Sequence, residues 1–391
     1  MLLIRKGYVH TMEGDPLDGV DILIEGGKIQ SIGFALEVPP EAECLDASGL
    51  FVLPGLIDAH THLGIWEEGS SGKGSQGNED PDPVTPQLRA IDAINPRDES
   101  FLWAREGGVT TVASGPGSGN VIGGQFCIMK TAGNRVDDMV MVPYAALKCA
   151  FGENPMSTHG DKGHSPATRM AIAATIREFL EKAFDYDQKI KSAGDDASKR
   201  PPKDAKLEAM LPIVHRRVPL KAHVHRSDDI LTAVRIAKEF DVRLTLDHCS
   251  EGHLIAGELA KEGYPAIVGP FAFVGKSKSE LRFRSLETPV ALWQAGVKTA
   301  ITTDATVVPP QYLALSAALA CREGMPETDA LRAITLTPAE ILGVADRVGS
   351  IAPGKDADFA IFDRHPFDGR ARVLMTVIQG LLVHDKRKGT T

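Results

Sequence analysis

Strand-like and helix-like segments alternate through the middle of this chain, and that alternation restricts the fold more than any other feature. Residues 53–62, 109–114, 125–130, 139–150, 219–225, 243–248, 265–269 and 298–303 form apolar, strand-like runs bounded by turn residues. Helix-like stretches lie between them. In 168–190, Ile172, Ile176, Phe179, Leu180 and Ala183 recur at three-to-four spacing. Ser227 is expected to cap a helix with Asp228 and Asp229 in its first turn and Ile230, Val234 and Ala237 on one face. Residues 288–295, 314–322 and 328–334 suit further helices. Such alternation implies parallel strands joined by helical crossovers. About eight strands over roughly 290 residues suit a (β/α)8 barrel, which typically takes about 250 residues. An open doubly wound sheet is the alternative. It calls for a Gly-rich turn after its first strand, and here that strand ends in His60-Thr61-His62.

Both ends of the chain have a different rhythm. Residues 2–4, 20–24 and 28–32 read as short strands broken by Gly26-Gly27 and Gly33. Residues 349–351, 358–362, 373–378 and 381–384 read the same way, punctuated by Gly354 and Gly380. The polar stretch 192–206, with Pro201-Pro202, is expected to be a loop insertion.

At 391 residues and 43% hydrophobic, the chain can bury a large core. Its formal net charge of -9 argues against nucleic acid or an anionic membrane as the main partner. The five cysteines, Cys44, Cys127, Cys149, Cys249 and Cys321, are scattered without C-x-x-C spacing, which fits free thiols in a reducing compartment. The first residues carry too short an apolar run for a signal peptide, and no stretch of about 18 apolar residues occurs. The expectation is a cytoplasmic protein with a small-molecule substrate, compatible with a homo-oligomer.

A barrel places its chemistry at the C-terminal ends of its strands. Residues two apart in a strand face the same side, so His60 and His62 project together and can chelate one divalent cation through neutral nitrogens. Alone, this H-x-H is a weak signal, equally met by two ordinary histidines near a loop. Later strand ends strengthen it: His223 and His225 repeat the pattern, His248 ends the next strand, and Asp304 follows the last. Lys148 lies on a strand before these.

These residues, with the run Pro54-Gly55-Leu56-Ile57-Asp58-Ala59-His60-Thr61-His62 and the tail Gly349-Ser350-Ile351-Ala352-Pro353-Gly354-Lys355-Asp356-Ala357-Asp358, resemble the amidohydrolase superfamily over nearly the whole chain. His223-Val224-His225-Arg226-Ser227-Asp228-Asp229-Ile230 and Gly152-Glu153-Asn154-Pro155 are most similar to its imidazolonepropionase-related and prolidase-like members. The resemblance implies a distorted (β/α)8 barrel over residues 55–346, with a small β-sandwich built from residues 1–54 and 347–391. It implies His60 and His62 on the more buried metal, His223 and His248 on a second, and Asp304 ligating the first and taking a proton from the attacking water. It further implies that Lys148, carboxylated by carbon dioxide, bridges the two ions; the amine must first be neutral, which burial favours. Glu153 is the other bridging candidate. Without a bridge, one metal would sit on His60, His62, His223 and Asp304, with His248 toward substrate. Zinc is the expected ion, though manganese or iron also suits such ligands. His225, Arg226 and Gln125 are candidates for substrate contact.

The implied activity is hydrolysis of an amide C–N bond, cyclic or dipeptide-like, by metal-activated hydroxide with Asp304 as general base. The alternatives are a mononuclear hydrolytic deaminase or imidazolonepropionase-like hydrolase, and a non-catalytic ligand-binding barrel. Other signals are discounted. Residues 115–124 are glycine-rich but lack dinucleotide spacing, and 269–277 lacks Walker spacing; both read as loops at the mouth. Cys149 and Cys249 neighbour proposed ligands but should face away from them along a strand. His164 and His253 read as loop residues.

Overall fold

The computed structural model describes residues 1–69 and 76–388. The N-terminal strands are β1 (Leu2–Val9), β2 (Leu17–Glu25), β3 (Lys28–Gly33), β4 (Glu43–Asp46) and β5 (Phe51–Pro54). Eight strands then follow in order around one sheet: β6 (Leu56–Thr61), β7 (Val109–Ser114), β8 (Ile122–Lys130), β9 (Val140–Ala150), β10 (Leu220–Val224), β11 (Leu244–His248), β12 (Ala266–Val268) and β13 (Thr299–Ile301). The C-terminal strands β14 (Phe359–Phe362), β15 (Val373–Ile378) and β16 (Leu381–Asp385) join the N-terminal ones in a second eight-stranded sheet. The helices are α1 (Glu99–Glu106), α2 (Val136–Met139), α3 (Glu153–His159), α4 (Arg169–Ala193), α5 (Ala205–Val214), α6 (Ser227–Glu239), α7 (Ala256–Glu262), α8 (Thr288–Gln294), α9 (Leu313–Arg322), α10 (Glu327–Arg332) and α11 (Leu336–Leu342).

The sheet of β6–β13 is the expected barrel, distorted in one place. Its strands pair in parallel except β8, which runs antiparallel to both β7 and β9. The links explain the reversal. Residues 115–121 and 131–139 are too short for a parallel crossover, which needs a dozen residues or more. Between the first and eighth strands, side chains stitch the seam. The buried Asp58 carboxylate accepts from Thr302 Oγ1, from Thr303 N at 3.1 Å and from Thr303 Oγ1 at 2.5 Å, while His62 N donates to Ala305 O at 2.5 Å.

The run 53–62, read above as one strand, serves both sheets. β5 pairs with β14 in the terminal sheet and β6 with β7 in the barrel. Gly55 marks the change: its N–H donates to Asp358 O and that of Leu56 to Gly108 O, both at 2.9 Å. A Cβ at Gly55 would lie 2.1 Å from Thr110 Oγ1, so no side chain fits there. The buried Lys130 of β8 also ties the sheets, pairing with Asp358 at 2.5 Å and Asp356 at 3.1 Å.

In α4 the expected face, Ile172, Ile176, Leu180 and Ala183, is buried, and Thr168 Oγ1 caps the helix by accepting from Ala171 N at 3.1 Å. In α6, however, Ser227 is the first helical residue and Arg226 occupies the cap position without a side-chain bond. Ser227 N and Oγ donate instead to Glu251 Oε2, at 2.8 and 3.1 Å. A carboxylate from beyond β11 thus satisfies the helix start. Residues 349–351 form no strand; Ile351 N makes a single bond to Thr11 O. The insertion at 192–206 is the link of the α4–α5 hairpin, with a short 3-10 turn at Ala197–Lys199. Among the described residues no helix is long and apolar enough to cross a membrane.

Candidate metal centre

Three imidazoles at the barrel mouth are locked by what their Nδ1 atoms face. His60, at the end of β6 and fully buried, has Nδ1 2.6 Å from Asp247 Oδ2. That oxygen also takes Lys221 Nζ at 3.0 Å, and Lys221 donates to Ala59 O. His62 Nδ1 faces Gly115 O at 2.7 Å, and His248 Nδ1 faces Gly269 O at 2.6 Å. Carboxylates and carbonyls accept, so in each neutral ring Nδ1 carries the proton and Nε2 presents a lone pair.

The lone pairs of His60 and His62 both point at one carboxylate, which His248 approaches through Nδ1 at 3.9 Å. Asp304 Oδ1 lies 3.3 Å from His62 Nε2 and 3.5 Å from His60 Nε2. Asp304 Oδ1 and His248 Nε2 are buried without a hydrogen-bond partner. Ligand atoms of His60, His248 and Asp304 all lie within 4.8 Å of one another. Lys148 Nζ is 3.2 Å from His60 Nε2. Electron-pair donors packed this way, out of water, repel one another unless a cation lies between them. Two imidazoles and a carboxylate suit zinc, and also manganese or iron. The residues therefore fit a divalent metal.

The backbone is unusual at the same places. His248 has φ of 67° and Asp304 of 54°, in the left-handed region. Such conformations cost free energy and concentrate at functional sites. Burial drives the imidazoles of His60, His223, His225 and His248 down from their ordinary pKa. It also pushes Lys148 down to about 8, against the pull of Asp247 and Asp304. Burial alone would raise Asp304; His248, His62 and Lys148 around it hold it below the usual carboxylate range.

The structure thus brings His60, His62, Lys148, His248 and Asp304 together. His223 joins them through its ring, 4.5 Å from that of His248, with Asn154 Nδ2 3.3 Å from its Nε2. His225 packs beside both, its Nδ1 2.8 Å from Ser250 Oγ. Three candidates turn elsewhere. Glu153 gives its carboxylate to the N–H of Glu280 at 3.1 Å. Arg226 is half-exposed and pairs with Asp228 through two bonds of 2.9 Å. Gln125 donates to Pro86 O at 3.2 Å; its neighbour Phe126 is the one that packs on His60, so alternation turns Gln125 outward. The thiols of Cys149 and Cys249 are pushed up to about 12 by burial, far from thiolate chemistry.

Asp247, Asn154 and Glu280 belong to the site's surroundings but escape a reading of the sequence. Asp247 precedes His248, and simple alternation would put the two on opposite faces. The left-handed backbone at His248 lets both reach the cluster. Beside it lies a cavity of about 280 Å³, bounded in part by Ile65, Asn78, Leu88, Pro116 and Gly123. The glycine-rich loop forms one of its walls through Pro116 and Gly123, and a Cβ at Gly123 would lie 3.4 Å from Lys148 Cγ; none of the clustered histidines lines this cavity.

The barrel, the shared sheet of both termini and this His/Asp mouth define a metal-dependent hydrolase class. The chain belongs to the amidohydrolase family, whose model matches residues 51–383. It is 39% identical to an amidohydrolase from Thermotoga maritima MSB8 of known structure, with a TM-score of 0.95 over 99% of this chain and 100% of that one. It is 28% identical to the imidazolonepropionase of Cereibacter sphaeroides, covering 88% of this chain and 89% of that enzyme. It is 29% identical to the amidohydrolase TasK of Hapsidospora irregularis over 98% of this chain, but spans only 43% of TasK's length.

Proposed function

We propose that this protein hydrolyses an amide C–N bond, in a cyclic amide or dipeptide-like substrate, using water activated at the mouth of the barrel. The observation that carries the reading is the approach of both His60 Nε2 and His62 Nε2 to within 3.5 Å of one buried oxygen, Asp304 Oδ1. His60, His62 and Asp304 would hold one divalent cation, His223 and His248 a second, and Lys148, once carboxylated, would supply an anionic ligand beside them. A bound divalent cation, zinc for preference, supplies Lewis acidity that acidifies water and polarises a carbonyl.

The chain's own residues do the rest. Asp304, held ionised by the groups facing it, takes a proton from the attacking water and returns it to the leaving nitrogen. Asp247 and Gly115 fix the orientation of His60 and His62. The lowered pKa of Lys148 supplies the neutral amine that carboxylation requires. Free, mostly buried thiols support a reducing, cytoplasmic setting.

Purified protein reloaded with zinc should hydrolyse members of a panel of lactams, imidazolones and N-acyl amino acids, and Asp304→Asn should not. Ammonia release from aminated heterocycles, with no amide cleaved, would favour the deaminase reading. No turnover on any panel would favour the ligand-binding barrel.

A further inference from the structure

A second cluster lies on the other side of His223. His223 and His225 project from the end of β10, and Glu280 arrives from residues 269–287, the connection between β12 and α8. One ligand atom each of His223, His225 and Glu280 lies within 4.8 Å of the others, and all three residues are buried. Glu280 is 1% exposed and uses its two oxygens differently. Oε2 accepts from Glu153 N at 2.8 Å, and Glu153 Oε1 accepts in return from Glu280 N at 3.1 Å. This double clasp fixes the carboxylate to α3. Oε1 has no hydrogen-bond partner and lies 3.7 Å from His225 Nε2 and 3.7 Å from Lys278 Nζ. Lys278 itself donates to Asn154 Oδ1.

We propose that His223, His225 and Glu280 form an auxiliary site for a divalent first-row transition metal, distinct from the His60–His62–Asp304 centre. His223 is also assigned above to the second catalytic cation; a neutral imidazole has one lone pair, so the two are alternatives for His223, whereas His225, Glu280 and the His60–His62–Asp304 centre are independent of that choice. Two imidazoles and one carboxylate form a donor set that zinc and iron(II) accept. Two of the donors come from one strand at a spacing of two, which keeps them on one side. With bonds of about 2.1 Å, tetrahedral ligand atoms stand about 3.4 Å apart. The cluster therefore closes by roughly an ångström on binding, within reach of the Glu280 side chain.

Lys278 sets the sign of a decisive test. If Glu280 serves only as a latch for its loop, removing the lysine charge weakens the latch and leaves metal binding unmoved. If Glu280 Oε1 is a ligand, the ammonium 3.7 Å away opposes the incoming cation, and its removal tightens binding.

The full chain is stripped with a chelator, reloaded with zinc(II) or cobalt(II) alone, and read by anomalous difference maps and competition titration. The expected result is a peak about 2.0–2.2 Å from Glu280 Oε1 and from nitrogens of His223 and His225, separate from any peak at His60, His62 and Asp304. Glu280→Gln, whose amide oxygen still accepts from Glu153 N, should weaken the auxiliary site at least about tenfold and leave the other peak in place. Lys278→Met should tighten the auxiliary site. Should Glu280→Gln fail to fold, His225→Gln reports the same loss. An empty auxiliary position in saturated wild-type protein, or unchanged affinity there in Glu280→Gln, overturns the proposal and leaves Glu280 as a loop latch. An auxiliary peak with nothing at His60, His62 and Asp304 would overturn the catalytic reading instead.

Discussion

Asp247 Oδ2 sits 2.6 Å from His60 Nδ1, behind the ring and away from the face that meets Asp304. The same oxygen holds the buried Lys221 ammonium at 3.0 Å. One carboxylate therefore sets the tautomer and angle of His60 and neutralises a cation that would otherwise repel a metal.

Asp247→Asn is expected to lower affinity for zinc by about 10- to 100-fold, the usual effect of losing a partner behind a metal-binding imidazole. Competition with a chromophoric chelator measures it. Unchanged affinity would show that other contacts hold the ring.

Asp304→Asn preserves volume but not the base. Turnover on any accepted amide should fall about 10²- to 10⁴-fold, with the circular dichroism spectrum unchanged. A variant with the wild-type rate would place the proton carrier elsewhere.

Burial brings Lys148 down to about 8, so near pH 8 roughly half of its amine is neutral, whereas an ordinary lysine stays protonated. Metal-free protein equilibrated with isotopically labelled bicarbonate, before metal is added, should show a carbamate carbon by NMR that grows as the pH rises from 7 to about 8.5 and disappears in Lys148→Met. Full metal loading without that signal would favour the single-metal arrangement.

Asp356 offers a pH test away from the centre. Burial alone would raise its carboxyl, but Lys130, Lys28 and Arg347 hold it below the usual range. A depressed carboxyl contributes stability that is present above its unfolded pKa, near 3.9, and is lost as the pH falls through the folded value. Asp356→Asn should destabilise the protein at pH 7 by about 3 kcal/mol, since it leaves a buried cation short of a partner. The gap in urea midpoints should persist down to about pH 4 and close below it. A gap independent of pH would mean the charge is not what Asp356 contributes.

The clustered histidines are legible in the sequence because each stands at the end of a recognisable strand, where the period of two and the chain order leave few placements. The terminal sheet is legible for the same reason. The antiparallel β8 is visible only through its links, since 115–121 and 131–139 are too short to cross over. Gln125 fails on parity, one residue from the inward-facing Phe126. Glu280 could not be found, because it lies in a segment without periodicity and meets His225 only through tertiary folding. The start of α6 is not legible from Ser227 alone, because the acceptor that satisfies it, Glu251, comes from another strand end.

The change of sheet at Gly55 has a consequence for anyone who would engineer this protein. His60 and His62 are only six and eight residues beyond the end of β5, a strand anchored in the sheet of both termini. The small domain is therefore no detachable cassette. A truncation, a bulky fusion or a domain swap at either end pulls on the histidine cluster through a single glycine.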